Sequence, residues 1–405
     1  MSESPYPMIS PEEAFQRVIA TVQALAPVRV PLGEALGHVL AAEVRAKENM
    51  PPFRSSSMDG YAVIAADTLA EREVLGEQDA GHVHAPRVRP GTAVRIMTGA
   101  ALPEGADTVI PVEYASEDAG RVRFSRPFPA GANIRPVGQD LAAGELILSP
   151  GLVLGAAEVG LLATLGQAEV EVYPRPRVAI MATGDELVPL GQAPGPGQIR
   201  DSNSHALAAF VRQVGGVPVV LGIIHDDEDI LRWAILDGLS RADMLVSSGG
   251  VSMGRRDLIK PILEALGTIH FGRLAQKPGK PTTFATVQGK PFFGLPGFPV
   301  SSLVSAELYV RPALRKMAGF AALRRLEITV RLAHDIRHEP DRMEFQRAVV
   351  TWQNGQALAR NTGDQVSGRL LSLVGANALL RLPQGVADLN AGDEVSALLT
   401  SAPEV

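Results

Sequence analysis

The sequence predicts a multidomain protein of the α/β plus β class, built around a central doubly wound α/β domain. Between residues 174 and 322, short apolar runs alternate with helical periodicities, a pattern typical of a parallel sheet with helices on both faces. Residues 51–140 and the chain beyond residue 323 instead contain short Val- and Ile-containing runs separated by Gly, Pro and Asp, which indicate mostly β domains.

The length of the chain supports a division into several domains. At about 100 to 200 residues per domain, 405 residues are enough for two to four domains. We expect an elongated N-terminal linker domain formed by residues 1–50 and 141–173. A mostly β second domain (51–140), the α/β domain (174–322) and a C-terminal β-barrel-like domain (323–405) complete the predicted architecture.

The individual elements follow from local patterns. Apolar residues at helical spacing, preceded by the cap Ser10 and the first-turn Pro11, predict a helix over residues 11–25. Buried strands of the α/β domain are expected at residues 177–182, 217–224, 243–246, 269–274, 282–285 and 291–295. The helices of that domain are expected at residues 203–214, 229–241, 258–266 and 300–317.

The composition excludes several classes of function. The chain has no cysteine, which removes disulfides, thiolate catalysis and cysteine-ligated metals. A net charge of -6 argues against a nucleic-acid-binding protein, because duplex binding normally requires a basic face. The N-terminus lacks a basic segment followed by an apolar core, so we expect a cytoplasmic protein without a membrane partner.

The segments that follow the predicted strands carry the candidate chemistry. They are residues 183–186 (TGDE), 225–227 (HDD), 247–250 (SSGG) and 294–297 (GLPG). In open α/β sheets, ligands bind outside the carboxyl ends of the strands, where these segments are expected to meet. A Gly-rich turn lets backbone N–H groups approach an anion, and residues 277–280 (KPGK) would add two positive charges.

Three acids at this edge have two alternative explanations. Glu186, Asp226 and Asp257 are oxygen ligands of the kind that Mg²⁺ shares with substrate phosphates. Alternatively, Asp226 with its neighbour Asp227, and Asp257, cap the helices that follow them. Their combination with glycines and lysines favours a site for phosphate and a divalent cation, although helix capping remains open.

These residues belong to a longer series of motifs that resembles a known family, the molybdopterin molybdotransferases of the MoeA type. The N-terminal motifs are residues 57–62 (SMDGYA), 98–99 (TG), 103–107 (PEGAD) and 138–140 (GQD). The later motifs are residues 183–187 (TGDEL), 201–203 (DSN), 247–252 (SSGGVS), 277–281 (KPGKP) and 294–301 (GLPGFPVS). Because the motifs occur in the family's order over nearly the whole chain, the resemblance is specific.

The resemblance implies an activity and a quaternary structure. Members of the family insert molybdate into adenylylated molybdopterin, with Mg²⁺-dependent release of AMP, and so complete the molybdenum cofactor. The family is dimeric, and each site is shared between subunits. Its other partners would be molybdenum cofactor enzymes.

The same resemblance implies roles for individual residues. Asp59, Thr98 and Asp140 would approach the site from the partner subunit and, with Asp257, would be catalytic. Glu186 and Asp226 would bind the metal. The substrate would be held by Gly249, Gly250, Ser252, Lys277, Lys280, Pro296, Pro299, Ser301, Arg347 and Ser367.

Two alternative functions and a few departures accompany this interpretation. A competence-damage-type pyrophosphatase has a similar α/β domain, but at its N-terminus, whereas here the module around Met58 comes first. A non-catalytic carrier or scaffold of molybdenum cofactor would have no use for the full polar set. The family often has Asn at Phe298, Asp at Arg54 and His at Gly368.

Overall fold

The computed structural model describes residues 6–250 and 258–402. The chain divides into two compact units. Unit 1 comprises Met1–Ala41, Gly151–Val159 and Glu169–Val405, and unit 2 comprises Ala42–Pro150 and Gly160–Ala168. The division into four domains stays a prediction.

The helices belong mostly to unit 1, and a π-helical turn at Ala306–Val310 joins the last two into one continuous helix. In chain order they are α1 (Pro11–Thr21), α2 (Ala156–Thr164), α3 (Asn203–Val214), α4 (Glu228–Arg241), α5 (Ile259–Leu266), α6 (Pro299–Ser305) and α7 (Arg311–Met317). Helix α1 ends four residues before the predicted end, because the Leu25 amide instead donates to the Met317 carbonyl on α7 (2.9 Å). Among the described residues, none of the helices combines the length and apolarity needed to cross a membrane.

The strands of the N-terminal half are mostly short. They are β1 (Val28–Pro31), β2 (Val39–Leu40), β3 (Val44–Arg45), β4 (Ser55–Ser56), β5 (Gly60–Val63), β6 (Glu71–Gln78), β7 (Thr92–Ile96), β8 (Thr108–Pro111), β9 (Ala115–Asp118), β10 (Arg121–Phe124), β11 (Ile134–Arg135), β12 (Leu146–Leu148) and β13 (Glu169–Tyr173). Strands β1, β13 and β2 form a small antiparallel sheet in unit 1.

The strands of the C-terminal half include the longest ones. They are β14 (Arg177–Thr183), β15 (Leu187–Val188), β16 (Ile199–Arg200), β17 (Val217–Ile224), β18 (Met244–Ser248), β19 (Gly267–Phe271), β20 (Gln276–Lys277), β21 (Thr283–Val287), β22 (Lys290–Leu295), β23 (Glu327–Leu332), β24 (Met343–Gln353), β25 (Gln356–Asn361), β26 (Ala378–Leu382) and β27 (Glu394–Leu399). Their order along the chain confirms the alternation of strands and helices predicted for the α/β domain.

The central sheet of unit 1 has the strand order β17-β14-β18-β22-β21-β19. Strands β17, β14, β18 and β22 are parallel, so their carboxyl ends lie at one edge. The expectation of a parallel sheet is wrong for its other end, because β21 pairs antiparallel with both β22 and β19. Only Gln288 and Gly289 connect β21 to β22, both with positive φ, and a two-residue turn cannot make a parallel crossover.

Side chains of the central sheet alternate between two apolar cores. On β14 and β18, Ile180 and Val246 face the core that contains α1, α3 and the long C-terminal helix. Their neighbours Ala179 and Leu245 face the core that contains α4 and α5. The sheet is therefore buried on both faces, which explains its continuous apolar runs.

The C-terminal strands close into a barrel. The 11-residue strand β24 pairs with β25 and also with β26, while β23 and β27 complete the ring. The two-residue strand β20 adds to β24 in parallel, with Gln276 opposite Met343 and Lys277 opposite Glu344. This pairing joins the KPGK segment to the barrel by backbone hydrogen bonds.

Unit 2 is mostly β, as expected for this part of the chain. Its main sheet has the order β8-β5-β7-β6-β10-β9. Ala62, Val94 and Val109 contribute to a core on one side of this sheet. At Gly60 a Cβ atom would lie 2.1 Å from the Ile110 carbonyl oxygen, so the close pairing of β5 with β8 requires glycine there.

We expect Asn377→Ala to lower the free energy of unfolding by about 2 to 4 kcal/mol, because two buried backbone groups would lose their partner. The Asn377 side chain accepts from the Val350 amide (2.7 Å) and donates to the Val350 carbonyl (2.9 Å). Urea denaturation would measure the change. The control is Gln353→Ala, which replaces an exposed residue on β24, the strand that contains Val350. Equal stability of the two variants would contradict this account of the barrel.

Candidate active site

A cavity of about 1090 Å³ opens at the carboxyl ends of the parallel strands of unit 1. The segments after β14, β17, β18 and β22 line it, together with the KPGK segment and the barrel loop around Ser367. The predicted residues that line it are Glu186, Asp226, Gly249, Gly250, Lys277, Lys280, Pro296, Pro299, Ser301 and Ser367. Ser252 and Asp257 lie outside the described residues.

The two glycines after β18 have no room for a side chain. Gly249 has a φ of 93°, and a Cβ atom there would lie 2.4 Å from the Thr183 carbonyl oxygen. At Gly250 it would lie 2.8 Å from the Thr183 hydroxyl. However, the Gly249 amide donates to the Leu295 carbonyl (3.0 Å), so this amide is not available to a bound phosphate, contrary to expectation.

Asn203, at the start of α3, ties two of these segments together. Its amide nitrogen Nδ2 donates to the Ser248 hydroxyl (2.7 Å) and to the Gly297 carbonyl (2.7 Å). The helix start is itself fixed by the buried Asp201, whose carboxylate accepts from the Ser204 amide (3.0 Å). One amide side chain therefore holds the ends of β18 and β22 at a common edge.

The structure separates the acids that line the cavity from the acid that caps a helix. Asp227 caps α4, since its carboxylate accepts from the amides of Asp229 and Ile230 (3.0 Å each). Asp226 lines the cavity, and so does Glu186, whose carboxylate lies over Gly184. Of the neighbours Asp226 and Asp227, helix capping therefore explains Asp227. The role of Asp257 stays a prediction. The described residues contain no cluster of three or more His, Cys, Asp or Glu side chains that could hold a metal.

The KPGK segment is braced from behind by the long C-terminal helix. The Tyr309 hydroxyl, in the π-helical turn, donates to the Gln276 side chain, whose amide nitrogen donates to the Pro278 carbonyl (2.9 Å). The hydroxyl groups of Thr282 and Ser305 are 2.9 Å apart. These buried bonds fix the backbone that carries Lys277 and Lys280.

The loop after β22 meets the barrel loop at the cavity wall. The Val300 amide donates to the Ser367 carbonyl (3.1 Å), and Pro299 occupies the first turn of α6. Phe298 is 64% exposed and lines the cavity. Its ring lies 3.7 Å from the position that a Cβ atom would take at Gly368, so two departures from the family pattern meet in space.

Arg347 is placed differently from the expectation. Its side chain is buried (1% exposed), is not part of the cavity lining, and donates through Nε to the Ser372 hydroxyl (3.1 Å). Burial lowers the pKa of its guanidinium to about 10, while Glu344 and Asp364 act in the opposite direction. Gln365 connects it to the cavity, since the Gln365 side chain accepts from the Arg347 amide (2.8 Å) and lines the wall.

The remaining predicted residues belong to unit 2. The Asp59 carboxylate accepts from the Thr98 hydroxyl (2.6 Å) and the Thr98 amide (2.7 Å). These bonds, the hydroxyl first, hold the pKa of the exposed Asp59 carboxyl below its usual range. Asp140 is paired with Arg135 of β11. Asp59 and Asp140 thus both make direct side-chain contacts within unit 2, while their catalytic roles stay predictions.

Several cavity residues were not among the predicted site residues, and Thr183, Asn203 and Gln365 are three of them. Thr183 and Asn203 lie within the TGDEL and DSN motifs, so the sequence already indicated that they are close to the site. The buried Thr183 hydroxyl has no hydrogen-bond partner among the described residues. Gln365 has no sequence signal, because its role arises from contact with Arg347.

Comparison with known proteins matches three family models to the chain in order. The model of the MoeA N-terminal region (domains I and II) matches residues 9–166, that of a probable molybdopterin-binding domain residues 179–316, and that of the MoeA C-terminal region (domain IV) residues 329–400. The chain belongs to the MoeA family. Its α/β domain, which contains most of the cavity residues, is the part that matches the probable molybdopterin-binding domain.

Individual MoeA relatives agree with this assignment. Molybdopterin molybdenumtransferase 2 of Mycobacterium tuberculosis is 37% identical, over 95% of this chain and 98% of the relative. Gephyrin of Dictyostelium discoideum is 36% identical over 92% of this chain, which spans 59% of gephyrin. A MoeA structure from Pyrococcus horikoshii matches with a TM-score of 0.85 at 31% identity, covering 98% of this chain and all 100% of that one.

We expect Thr98→Val to raise the pKa of the Asp59 carboxyl toward its ordinary value, because the hydroxyl donor disappears while the amide donor stays. An NMR titration of the Asp59 carboxyl carbon would measure the shift, with Thr92→Val on β7 as a control. Because the folded pKa is lowered, this contact stabilises unit 2 at neutral pH and ceases to do so as the pH falls through the Asp59 pKa. An unchanged titration in Thr98→Val would contradict the assignment.

Proposed function

We propose that this MoeA-family chain is a molybdopterin molybdotransferase, which inserts molybdate into adenylylated molybdopterin and releases AMP. The supporting observation is a single cavity at the sheet edge that carries both lysines, Lys277 and Lys280, and both acids, Glu186 and Asp226. The names of the relatives support the transferase function over the pyrophosphatase and scaffold alternatives.

The charges of the cavity suit these substrates. Molybdate is a dianion, and adenylylated molybdopterin carries a phosphoanhydride and a terminal phosphate. Lys277 and Lys280 supply positive charge for such groups, and Arg342 lines the same cavity. An acidic chain with a net charge of -6 thus presents a locally basic surface to its anionic substrates.

The residues of the cavity also fit the Mg²⁺ that the MoeA family implies. Mg²⁺ typically takes one or two protein carboxylates, with water and substrate phosphates completing its shell. Glu186 and Asp226 are carboxylates of this kind at the cavity wall, and Asp257 is a further candidate outside the described residues. When bound there, the cation would neutralise charge on the phosphoanhydride as it is cleaved.

The side chains of the chain itself bind and orient the substrates. Lys277 and Lys280 hold oxyanions, and Asn203 keeps the segments after β18 and β22 in place around them. The Ser248 hydroxyl accepts from the Asn203 amide nitrogen, which cannot act as a general base. We therefore assign electrostatic roles to the protein and no covalent intermediate.

We further propose that the active protein is a homodimer in which unit 2 of one subunit completes the cavity of the other. Asp59, Thr98 and Asp140 would then enter from the partner subunit, as the family resemblance implies. The ionised Asp59 carboxylate, held by Thr98, supports a catalytic role because it remains charged at neutral pH. The cytoplasmic location and contacts with other molybdenum cofactor enzymes stay predictions.

We expect the wild-type chain, given adenylylated molybdopterin and Mg²⁺, to release AMP only when molybdate is added. Lys280→Ala should lower kcat/KM by about 10- to 100-fold, because a charge-assisted contact to the substrate is lost. Arg331→Ala, which removes an exposed positive charge of the barrel, is the control and should stay near wild type. Absence of molybdate-dependent AMP release from the wild type would overturn the proposed function.

The shared site predicts complementation between two inactive variants. Asp59→Ala and Glu186→Ala should each be inactive alone. After mixing and reassociation, about a quarter of the wild-type activity should return, because half of the dimers are mixed and each contains one intact site. If the mixture stays inactive although mixed dimers are present, the site is not shared between subunits.

A further inference from the structure

Lys277 contacts the buried carboxylate of Glu344, which does not line the cavity. Its ammonium nitrogen Nζ lies 3.5 Å from Oε1 of Glu344, whose side chain is only 3% exposed. The contact follows from the backbone, because β20 and β24 pair with Lys277 directly opposite Glu344. A buried carboxylate this close to a cation normally neutralises it, which would reduce the attraction of Lys277 for an anion.

The other oxygen of Glu344 is held by a fully buried histidine. His338 has a side-chain exposure of 0%, and its Nδ1 lies 2.9 Å from Oε2 of Glu344. Its Nε2 lies 3.1 Å from the Pro383 carbonyl oxygen. The ring of His338 is therefore enclosed within the protein.

The two contacts determine how many protons the pair of His338 and Glu344 holds. A carbonyl oxygen can only accept, so Nε2 carries a hydrogen. The short contact between Nδ1 and Glu344 then requires a second proton, on Nδ1 or on the carboxyl group. In either arrangement the pair of His338 and Glu344 holds one shared proton and has a net charge of zero.

We propose that His338 and Glu344 are positioning residues that keep the positive charge of Lys277 available for an oxyanion of the substrate. Glu344 fixes the ammonium group at the cavity wall, and the shared proton prevents Glu344 from neutralising it. This inference rests on the proposed function for the identity of the substrate, but its electrostatics apply to any tetrahedral oxyanion.

Most other charged groups around the pair are solvated, but Arg347, further along β24, is buried, and Glu344 acts to raise its pKa. Glu339, on the same segment as His338, lies 3.7 Å from Lys277 but is 71% exposed, so solvent screens it. Asp388 accepts from the His338 backbone amide (3.3 Å) and not from the ring. Arg342 lies near β24 and is paired with Asp341 (2.7 Å). Lys277 and His338 contact the two oxygens of the Glu344 carboxylate directly, so the shared proton acts at shorter range on the contact between Lys277 and Glu344 than these other charges do.

Calorimetric titration of the purified chain with molybdate, and separately with AMP, tests this without turnover. His338→Asn keeps a hydrogen-bond donor to Glu344 but cannot hold the proton, so binding should weaken by about tenfold. The double variant His338→Asn with Glu344→Gln removes the buried charge and should recover most of the affinity. The two titrants distinguish whether Lys277 holds molybdate or the nucleotide phosphate.

The outcomes separate a charge role from a structural one. If the single His338 variant and the double variant bind equally weakly, the pair is only structural and the proposal is wrong. If the wild type binds neither titrant, the proposal also fails, and this second result needs no variant to fold. Thermal unfolding of each variant provides the folding control. Failure of AMP release, with anion binding that weakens in His338→Asn and recovers in the double variant, would overturn the proposed function and leave this inference standing.

Discussion

The parallel hydrogen bonding of β17, β14, β18 and β22 is the constraint on which the cavity depends. Parallel strands end at the same edge, so segments that are far apart in the chain must meet there. Each segment then contributes one kind of group: a glycine that allows close approach, an acid, or a proline that shapes the wall. The Asn203 amide fixes two of these segments, so the cavity wall is held by side-chain bonds as well as by the sheet.

Much of the α/β domain could be predicted from the sequence, since helix 203–214 and strand 217–224 match the structure residue for residue. Periodicity sufficed there because one face of the helix is apolar and the strand is bounded by turns. The antiparallel end of the sheet was missed, because strand direction depends on the two-residue turn after Val287. The surroundings of Glu344 and Arg347 could not be predicted from the sequence, because they follow from barrel pairings between distant segments.

The electrostatics of the cavity show how an acidic chain can serve anionic substrates. Positive charge is concentrated on a few side chains whose backbone is rigid, and Tyr309 and Thr282 brace the segment that carries two of them. The carboxylates have the complementary role, because they are candidate ligands for a cation that would itself attract phosphate. The cavity thus offers positive groups for the anionic substrate and negative groups for a cation that would bind with it.

The contact between Phe298 and Gly368 has a consequence for sequence variation in the family. The two residues come from loops 70 positions apart, yet the ring stands over the bare backbone of the glycine. A larger side chain at position 368 would compete with the ring for the same space, whereas a smaller one at position 298 would leave that backbone uncovered. Substitutions at the two positions are therefore coupled. Introducing either residue into a relative without the other would change the wall of the cavity.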